Sequence, residues 1–379
     1  MRVLILGVST RAMVESAIRA GFRVTSLDYF ADSDQPAEAH CLSLTRDFNL
    51  LPNLKNLARA AKSLLDDADA VAFASGVENE PQLAHLAGRE KLLGNSPQTI
   101  EDIRNPQKIS AALEGTGMQI PETISDECEF PSLDSVKEHA WLRKNLFKGA
   151  GAGVQFWNGQ SRLRRGEILQ RFINGVLASA IFLANGRHAS LLGMTFQYAG
   201  VKALHARRFW WSGNVAPFFC PQTAHIIEKA ARALTAKFGL VGINGIDFMI
   251  SDGLLFLLEV NPRYTASVEL FEMAAGINAF TWHTGACRGE LPAIKPLAEG
   301  KEYWGKGILY AQQDFYAPDT ASWQGRGIKD IPYRHEFIRR GAPVCSVLAH
   351  AASPCACWQA ILSKAHMLEI EMALELTNA

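Results

Sequence analysis

The stretch VGINGIDFMISDGLLFLLEVNPR, residues 241–263, constrains the fold more than any other part of this chain. Two apolar runs of strand length flank Asp252-Gly253, a dipeptide that favours a tight hairpin turn. The second run keeps five apolar side chains from Leu254 to Leu258, then turns abruptly to Glu259, Asn261, Pro262 and Arg263. Charge is rarely buried without a partner, so something at the end of this strand must neutralise it.

Strand faces alternate with period two, so the turn decides whether Asp247, twelve residues before Glu259, can meet it. A two-residue Asp-Gly turn pairs Ser251 with Leu254 and sends the two carboxylates to opposite faces. A three-residue loop, Ser251-Asp252-Gly253 with a left-handed glycine, pairs Ile250 with Leu254 and puts Asp247, Glu259 and Asn261 on one face. The three-residue loop is the expectation. Two carboxylates and an amide oxygen on one face suit a hard divalent cation, because Mg²⁺ takes carboxylates together with phosphate oxygens and water. Arg263 suits a phosphate or carboxylate held in bidentate fashion. A plain ion pair between Arg263 and one of the acids is the alternative.

Upstream, KNLFKGAGAGV puts Lys144 on a strand and Gly149, Gly151 and Gly153 in the turn that follows. Glycines so spaced let backbone N–H groups approach a polyphosphate while the lysine supplies charge. The order is not that of a P-loop, and a simple mobile turn is the blander reading. Lys108, in NPQKISAALEGTG, adds a cation ahead of this hairpin. HARRFWWSGN (205–214) reads either as a pocket for an acidic substrate or as a surface patch with aromatic packing.

The first hundred residues have a different rhythm. RVLILG reads as a buried strand, TRAMVESAIRAG as a helix stopped by Gly21, and FRVTSLDYF as a second strand ending in Asp28. DADAVAFASG and ENEPQLAHLAG repeat the alternation, which predicts a parallel sheet with right-handed crossovers. Gly7 followed by Asp28 suggests a dinucleotide fold, but GVSTRA is not G-x-G-x-x-G and supports NAD poorly. From about Thr99 antiparallel strands are predicted, with Asn-Gly turns at 174–175 and 185–186. An amphipathic helix carries Ile227, Ala230, Ala231, Leu234 and Phe238 on one face. Short strands and a last helix, from about Cys357 to Leu374, close the chain.

At 379 residues two or three domains are expected. Lys plus Arg and Asp plus Glu balance at 38 each, which removes any global pull toward nucleic acid or anionic membrane. Among seven cysteines the only close pair, Cys355-Ala-Cys357, lacks C-x-x-C spacing, so reduced thiols are expected. MRVLILG is short for a signal-peptide core, and no stretch approaches 18 uninterrupted apolar residues. The expectation is a soluble, cytoplasmic protein without a membrane partner.

Together these segments resemble an ATP-grasp enzyme, in the expected order along nearly the whole chain. The resemblance rests on a lysine followed by G-x-x-x-P-E-T (Gly117 to Thr123), the strand lysine with its glycine lid, Q-x-F-I-x-G (Gln170 to Gly175), GINGIDF and LEVNPR. It implies an α/β and α+β architecture. Residues 1–98 would form a Rossmann-like pre-ATP-grasp parallel sheet. Residues 99–295 would form a two-lobed antiparallel ATP-grasp domain, with a small lobe at about 106–175 and a large lobe at about 176–295. Residues 296–379 would form a small, mainly β C-terminal domain.

The resemblance also implies roles. Lys108 and Lys144 would contact ATP phosphates, and Gly149, Gly151 and Gly153 would close over them. Gln170, Phe172 and Ile173 would line the adenine pocket. Asp247, Glu259 and Asn261 would bind Mg²⁺ or Mn²⁺, and Arg263 would be the catalytic residue, stabilising the transferred phosphate or the tetrahedral adduct. The N-terminal stretch VLILGVSTRAMVESAIRAGFRVTSLDYFADSD is similar to a group of predicted carboligases, some of them linked to methanofuran- or methanopterin-type cofactor synthesis. The implied reaction joins a small-molecule carboxylate to an amine through an acyl phosphate. A carboxylase-like enzyme and a non-catalytic nucleotide sensor are the alternatives, and dimers are common among similar proteins. Loops around Gly7, Ser9, Arg11, Ser75, Gly76 and Glu78 are expected to wall the acceptor site, with Glu78 read alternatively as a helix-capping carboxylate. The lid departs from the usual pattern in reading Gly-Ala-Gly-Ala-Gly, as does Arg171 at the hinge.

Overall fold

A computed structural model describes residues 1–125, 140–159, 162–297 and 302–378 of the chain. Five strands near the N-terminus, β1 (Arg2–Leu6), β2 (Arg23–Asp28), β3 (His40–Ser43), β4 (Ala70–Phe73) and β5 (Leu92–Leu93), form the expected parallel sheet in the order β3-β2-β1-β4-β5. Val3, Leu4, Ile5 and Leu6 are all buried, as a strand covered on both faces requires. The helix Arg11–Arg19 crosses from β1 to β2 and stops at Gly21, whose φ of 80° favours glycine. Asp28 accepts from Thr10 N at 2.9 Å, Thr10 Oγ1 at 2.7 Å and Phe30 N at 2.8 Å. That carboxylate is occupied in shaping its own loop.

Two short strands follow, β6 (Met118–Gln119) and β7 (Thr123–Ile124). β7 joins β8 (Trp141–Asn145), β9 (Val154–Phe156) and β10 (Glu167–Arg171) in a small antiparallel sheet ordered β7-β10-β8-β9. The glycine-rich turn links β8 and β9, as its sequence predicts. The remaining strands are β11 (Val176–Asn185), β12 (Ala189–Ala199), β13 (Trp211–Phe218), β14 (Val241–Ser251), β15 (Leu254–Asn261), β16 (Tyr303–Tyr310), β17 (Phe315–Tyr316), β18 (Ile328–Lys329), β19 (Phe337–Ile338) and β20 (Pro343–Ala351). Nine strands make one sheet, β18-β20-β16-β13-β12-β11-β14-β15-β6, while β17 and β19 pair separately. The closing helix, Pro354–Asn378, packs on this sheet through Ile361 and Leu368.

Asn185-Gly186 opens the β11–β12 turn as expected, but Asn174-Gly175 makes no hairpin. It carries the chain from the small sheet to the large one. A Cβ on Gly175 would lie 2.1 Å from the Ile250 carbonyl oxygen, so this crossing needs glycine.

The large sheet packs one face on the helix Pro221–Phe238, with Ala178, Ala180, Phe182 and Phe248 against the predicted Ile227, Ala230, Ala231 and Leu234. Its other face sets Ile181, Leu183 and Ile243 among Phe271, Phe280 and residues of the N-terminal sheet. Arg11, expected near an acceptor site, is instead wholly buried. Its guanidinium meets Glu269 and Asp330 at 2.8 Å each, and Lys306 meets the same two acids at 2.9 and 3.3 Å. Arg11 therefore joins the first helix to the large sheet, because leaving either acid unpaired there is costly. The described cysteines are free thiols, and Cys128 lies outside the described residues. Among those residues no helix is long and apolar enough to cross a membrane.

Candidate functional site

β14 and β15 are joined by a two-residue turn, so the three-residue expectation is corrected. Ser251 pairs with Leu254, and Asp252 and Gly253 both have positive φ, 50° and 78°. Strict alternation from that turn would separate the acids. A β-bulge between Asp247 and Phe248 reverses the outcome: Phe248 pairs with Leu257, but Asp247 pairs with Glu259. Leu258 is the extra residue. The carboxylates share a face for a reason the turn alone did not reveal. The bulge also leaves the Leu258 carbonyl outside the ladder, and Lys144 Nζ donates to it at 3.0 Å.

The face carrying the acids changes character along its length. Where Ile181, Leu183 and Ile243 lie it is apolar. Beyond them Ser179 stands opposite Asp247 and bonds Thr195 at 2.8 Å. Asn214 Nδ2 donates to Thr195 Oγ1 at 2.7 Å, and Trp211 Nε1 donates to Asn214 Oδ1 at 2.6 Å. A row of satisfied polar groups thus crosses three strands beside Asp247; Trp211 and Asn214 belong to the 205–214 segment noted in the sequence, whereas Ser179 and Thr195 were not singled out.

Asn261 Nδ2 donates to Asp247 Oδ2 at 3.1 Å, and Arg263 Nη2 donates to Asn261 Oδ1 at 3.1 Å. Arg263 does form an ion pair, but with Glu78 of the N-terminal loop, Nε to Oε1 at 2.6 Å. Glu78 is therefore not a helix cap. Glu259 has no hydrogen bond among the described residues. Crowding by protein and then the charge of Asp247 push its carboxyl up to about 7, against the pull of Lys144 and Arg263. Glu259 is also exposed to solvent, where water screens part of that shift. Burial raises Asp247 too, opposed by the hydrogen bond from Asn261. Burial lowers Lys144, opposed by Glu259 and then Asp247.

Two carboxylates that repel each other, beside an amide oxygen, form a hard-oxygen donor set that a divalent cation would relieve. No group of three or more His, Cys, Asp and Glu side chains among the described residues is placed to hold a metal. A cation at these two carboxylates would therefore draw its remaining ligands from amide, phosphate and water oxygens, as Mg²⁺ does. The residues fit Mg²⁺ on that basis.

Gly151 (φ 75°) seats the lid against β13's approach: a Cβ there would lie 1.8 Å from Phe209 O, and Trp211 N donates to Ala150 O at 3.1 Å. Gly149 lies beside Asn79 and Glu78, and Gly153 presses on Lys148 and Asn145. Gln170 accepts from Lys144 Nζ at 3.0 Å and donates to Thr123 Oγ1 at 3.0 Å, which fixes the lysine from the hinge side. Phe172 packs edge-on to Phe156, with ring centres 5.4 Å apart, and Ile173 beside it is half-buried.

Lys108 is not gathered with these residues. Its ammonium pairs with Asp102 at 2.5 Å and half of its side chain is exposed. The cation found instead is Arg104, four residues earlier. Its Nη2 donates to Asn79 Oδ1 at 2.8 Å, its guanidinium lies 5.1 Å from the Phe147 ring of the lid, and it feels the charge of Glu259. A signal was present, since Asn105 caps and Pro106 opens the helix Pro106–Leu113, which leaves Arg104 outside it. Of the 205–214 segment, Phe209 and Trp211 lie under the lid. Arg208 stacks 4.4 Å from the Phe156 ring, while His205 pairs with Glu369 of the last helix.

This geometry coincides with a family match. Residues 103–267 match the family model described as the ATP-grasp domain. An uncharacterized protein of Methanocaldococcus jannaschii is 26% identical over 361 residues, covering 92% of this chain and 88% of its own. The carbamoyl phosphate synthase large chain of Thermoplasma volcanium is 23% identical over 214 residues, 52% of this chain but only 20% of that relative. Among solved structures, N5-carboxyaminoimidazole synthetase from Staphylococcus aureus, complexed with ADP, aligns with a TM-score of 0.68 at 16% identity, covering 96% of each chain. L-amino acid ligase from Bacillus licheniformis aligns at 0.65 and 17%, also covering 96% of each. The biotin carboxylase domain of Hydrogenobacter thermophilus 2-oxoglutarate carboxylase, bound to MgADP, aligns at 0.65 and 14%, covering 92% of this chain and 86% of that one. At these identities the likenesses establish the fold.

Proposed function

We propose that the chain is an ATP-dependent ligase that forms a C–N bond between a small carboxylate and an amine. The observation that carries this is the pairing of Asp247 with Glu259 across the bulge, beside Asn261 and within reach of Lys144 and Arg263. A carboxylate oxygen attacks the γ-phosphorus of ATP, the bond to ADP breaks, and an acyl phosphate results. The amine then attacks the acyl carbon, phosphate leaves with the C–O bonding pair, and the amine loses a proton. Such chemistry needs alignment and charge neutralisation more than a protein nucleophile.

Asp247, Glu259 and Asn261 would hold Mg²⁺, which when bound would supply Lewis-acid neutralisation of the phosphates. Lys144, fixed by Gln170 and Leu258 O, presents a cation to phosphate. Arg104 takes, at the γ-phosphate, the part that the resemblance gave to Lys108, and Arg263 meets the charge on the transferring group. Phe172 and Ile173 line the base, and the lid excludes water. The solved N5-carboxyaminoimidazole synthetase and L-amino acid ligase, aligned over 96% of the chain, support this reading. The match to a protein of Methanocaldococcus jannaschii is compatible with substrates of methanofuran- or methanopterin-type cofactor assembly. A cytoplasmic location and a homodimer belong to the same reading.

A carboxylase-like reaction, with bicarbonate as the carboxylate, is the second reading, favoured by the alignment with a biotin carboxylase domain. Melting curves of wild type and Glu259→Gln with and without MgATP test the site, since a ligand that binds only the folded state raises Tm. A Mg²⁺-dependent rise that Glu259→Gln abolishes is expected. ADP release on adding candidate carboxylates with amines, or bicarbonate alone, then separates the two reactions. No rise in wild type at millimolar nucleotide refutes both.

A further inference from the structure

Two arginines of the site are held by one loop that belongs to neither lobe around it. The loop follows β4 of the parallel sheet and begins at Gly76, φ 93°, where an added Cβ would strike Val8 at 2.4 Å. Glu78 Oε1 accepts from Arg263 Nε at 2.6 Å. Asn79 Oδ1 accepts from Arg104 Nη2 at 2.8 Å, and the Glu78 carbonyl accepts from the same nitrogen. Glu78 is 7% exposed, and the Arg263 side chain 14%. A buried ion pair of this kind adds little net stability, because desolvation offsets the attraction. What it does supply is direction: an arginine side chain has many rotamers, and a planar guanidinium gripped at Nε points its Nη edge one way, here toward Asn261 Oδ1 and the Tyr264 carbonyl. The lid meets the same loop, with Gly149 beside Asn79 and Glu78 and Phe147 beneath Arg104.

We infer that loop 76–79 is a positioning device for phosphoryl transfer, in which Glu78 aims Arg263 and Asn79 aims Arg104. This rests on the reading of Arg263 as the cation that meets the transferred phosphoryl group. The N-terminal domain then acts on the reaction without touching substrate, and the lid closes on a surface that already fixes both cations. Neither Glu78 nor Asn79 is a catalytic residue in this account; each works through an arginine.

The test uses the full chain and two probes, MgADP and MgADP with aluminium fluoride, a mimic of the transferring phosphoryl group. Wild type should bind MgADP more tightly when the fluoride is present. Glu78→Gln and Asn79→Ala should keep MgADP affinity within about twofold, yet lose the fluoride-dependent tightening by about tenfold or more, because a displacement near 1 Å costs up to about a hundredfold. Glu78→Asp should recover part of the tightening, and Arg263→Lys should lose it. Tightening that survives in both Glu78→Gln and Asn79→Ala overturns the inference while leaving the nucleotide site intact. So does a loss shared equally by MgADP affinity and unliganded Tm, which marks a structural role. Where Glu78→Gln does not fold, Asn79→Ala decides. Failure of wild type to bind MgADP at all refutes the functional reading itself, and the inference falls with it.

Discussion

Alanine at Gly151 tests the closed lid against a control two residues away. At Gly151 the backbone is left-handed, φ 75°, which costs an L-residue about 1 kcal/mol or more. The new Cβ would stand 1.8 Å from Phe209 O and 2.6 Å from its carbonyl carbon. Both are backbone atoms that no side-chain rotation removes, so the lid must withdraw by roughly 1.5–2 Å to reach ordinary contact. That withdrawal breaks the Trp211 N–H bond to Ala150 O, now 3.1 Å and worth about 1 kcal/mol. Closure is then penalised by about 2 kcal/mol, which is roughly thirtyfold in nucleotide affinity. Gly149 offers the contrast: its backbone is not left-handed, and a Cβ there would meet Asn79 Nδ2 at 3.6 Å, an ordinary contact. Titration calorimetry with a non-hydrolysable MgATP analogue should therefore show about thirtyfold weaker binding for Gly151→Ala and no more than about twofold for Gly149→Ala. Unliganded Tm should fall by no more than a few degrees for Gly151→Ala, whose lid lies at the edge of the small sheet, and hardly change for Gly149→Ala. Equal effects at the two positions, or no effect at Gly151, would refute the argument.

Lys144→Met strands Gln170 Oε1 and Leu258 O, so beyond losing nucleotide it should lower stability by about 1–3 kcal/mol in denaturant titration. Glu259 has its carboxyl raised in the folded state, so its charge begins to oppose folding as pH climbs past the ordinary carboxyl range and does so fully above about 7. Glu259→Gln should accordingly stabilise the unliganded protein at pH 8, by less than about 1 kcal/mol given its exposure, and bring nothing at pH 4. For the wild type, protons compete with the cation at the same carboxylate, so Mg²⁺ should bind less tightly at pH 6 than at pH 8. Arg11→Leu removes the cation shared by Glu269 and Asp330, leaving Lys306 alone between two buried acids. A loss of about 3–5 kcal/mol is expected, read as a large fall in Tm.

Much of the architecture could be read from periodicity. The parallel sheet, the glycine-lid hairpin and the buried stripe of the helix Pro221–Phe238 each follow from local pattern, because burial on one or two faces writes its period into the sequence. The acids on one face were also expected, but for the wrong local reason. The Asp-Gly turn is of the two-residue kind, and a bulge four pairs further along the ladder restored the parity. Nothing in LLFLL marks Leu258 as the residue left over, since a bulge is fixed by what packs on the strand, here including a lysine from another sheet. The same limit explains Lys108 and Arg104. Both are cations near one helix start, and only the tertiary placement of Asn79 and the lid shows which one turns inward. Arg11 looked like a ligand-loop cation and proved to be enclosed by acids from positions 269 and 330, more than 250 residues away.

The bulge at Leu258 also makes the site editable in an unusual way. A single-residue deletion inside a strand normally rotates everything beyond it onto the wrong face. Here, removing Leu258 would bring Glu259 into regular register opposite Asp247, next to the existing Phe248–Leu257 pair. The acids, the amide and Arg263 would keep their side of the sheet, while Lys144 would lose the Leu258 carbonyl it holds. The chain therefore contains its own means of separating two contributions that substitution cannot: how the lysine is anchored, and how the carboxylates are aligned.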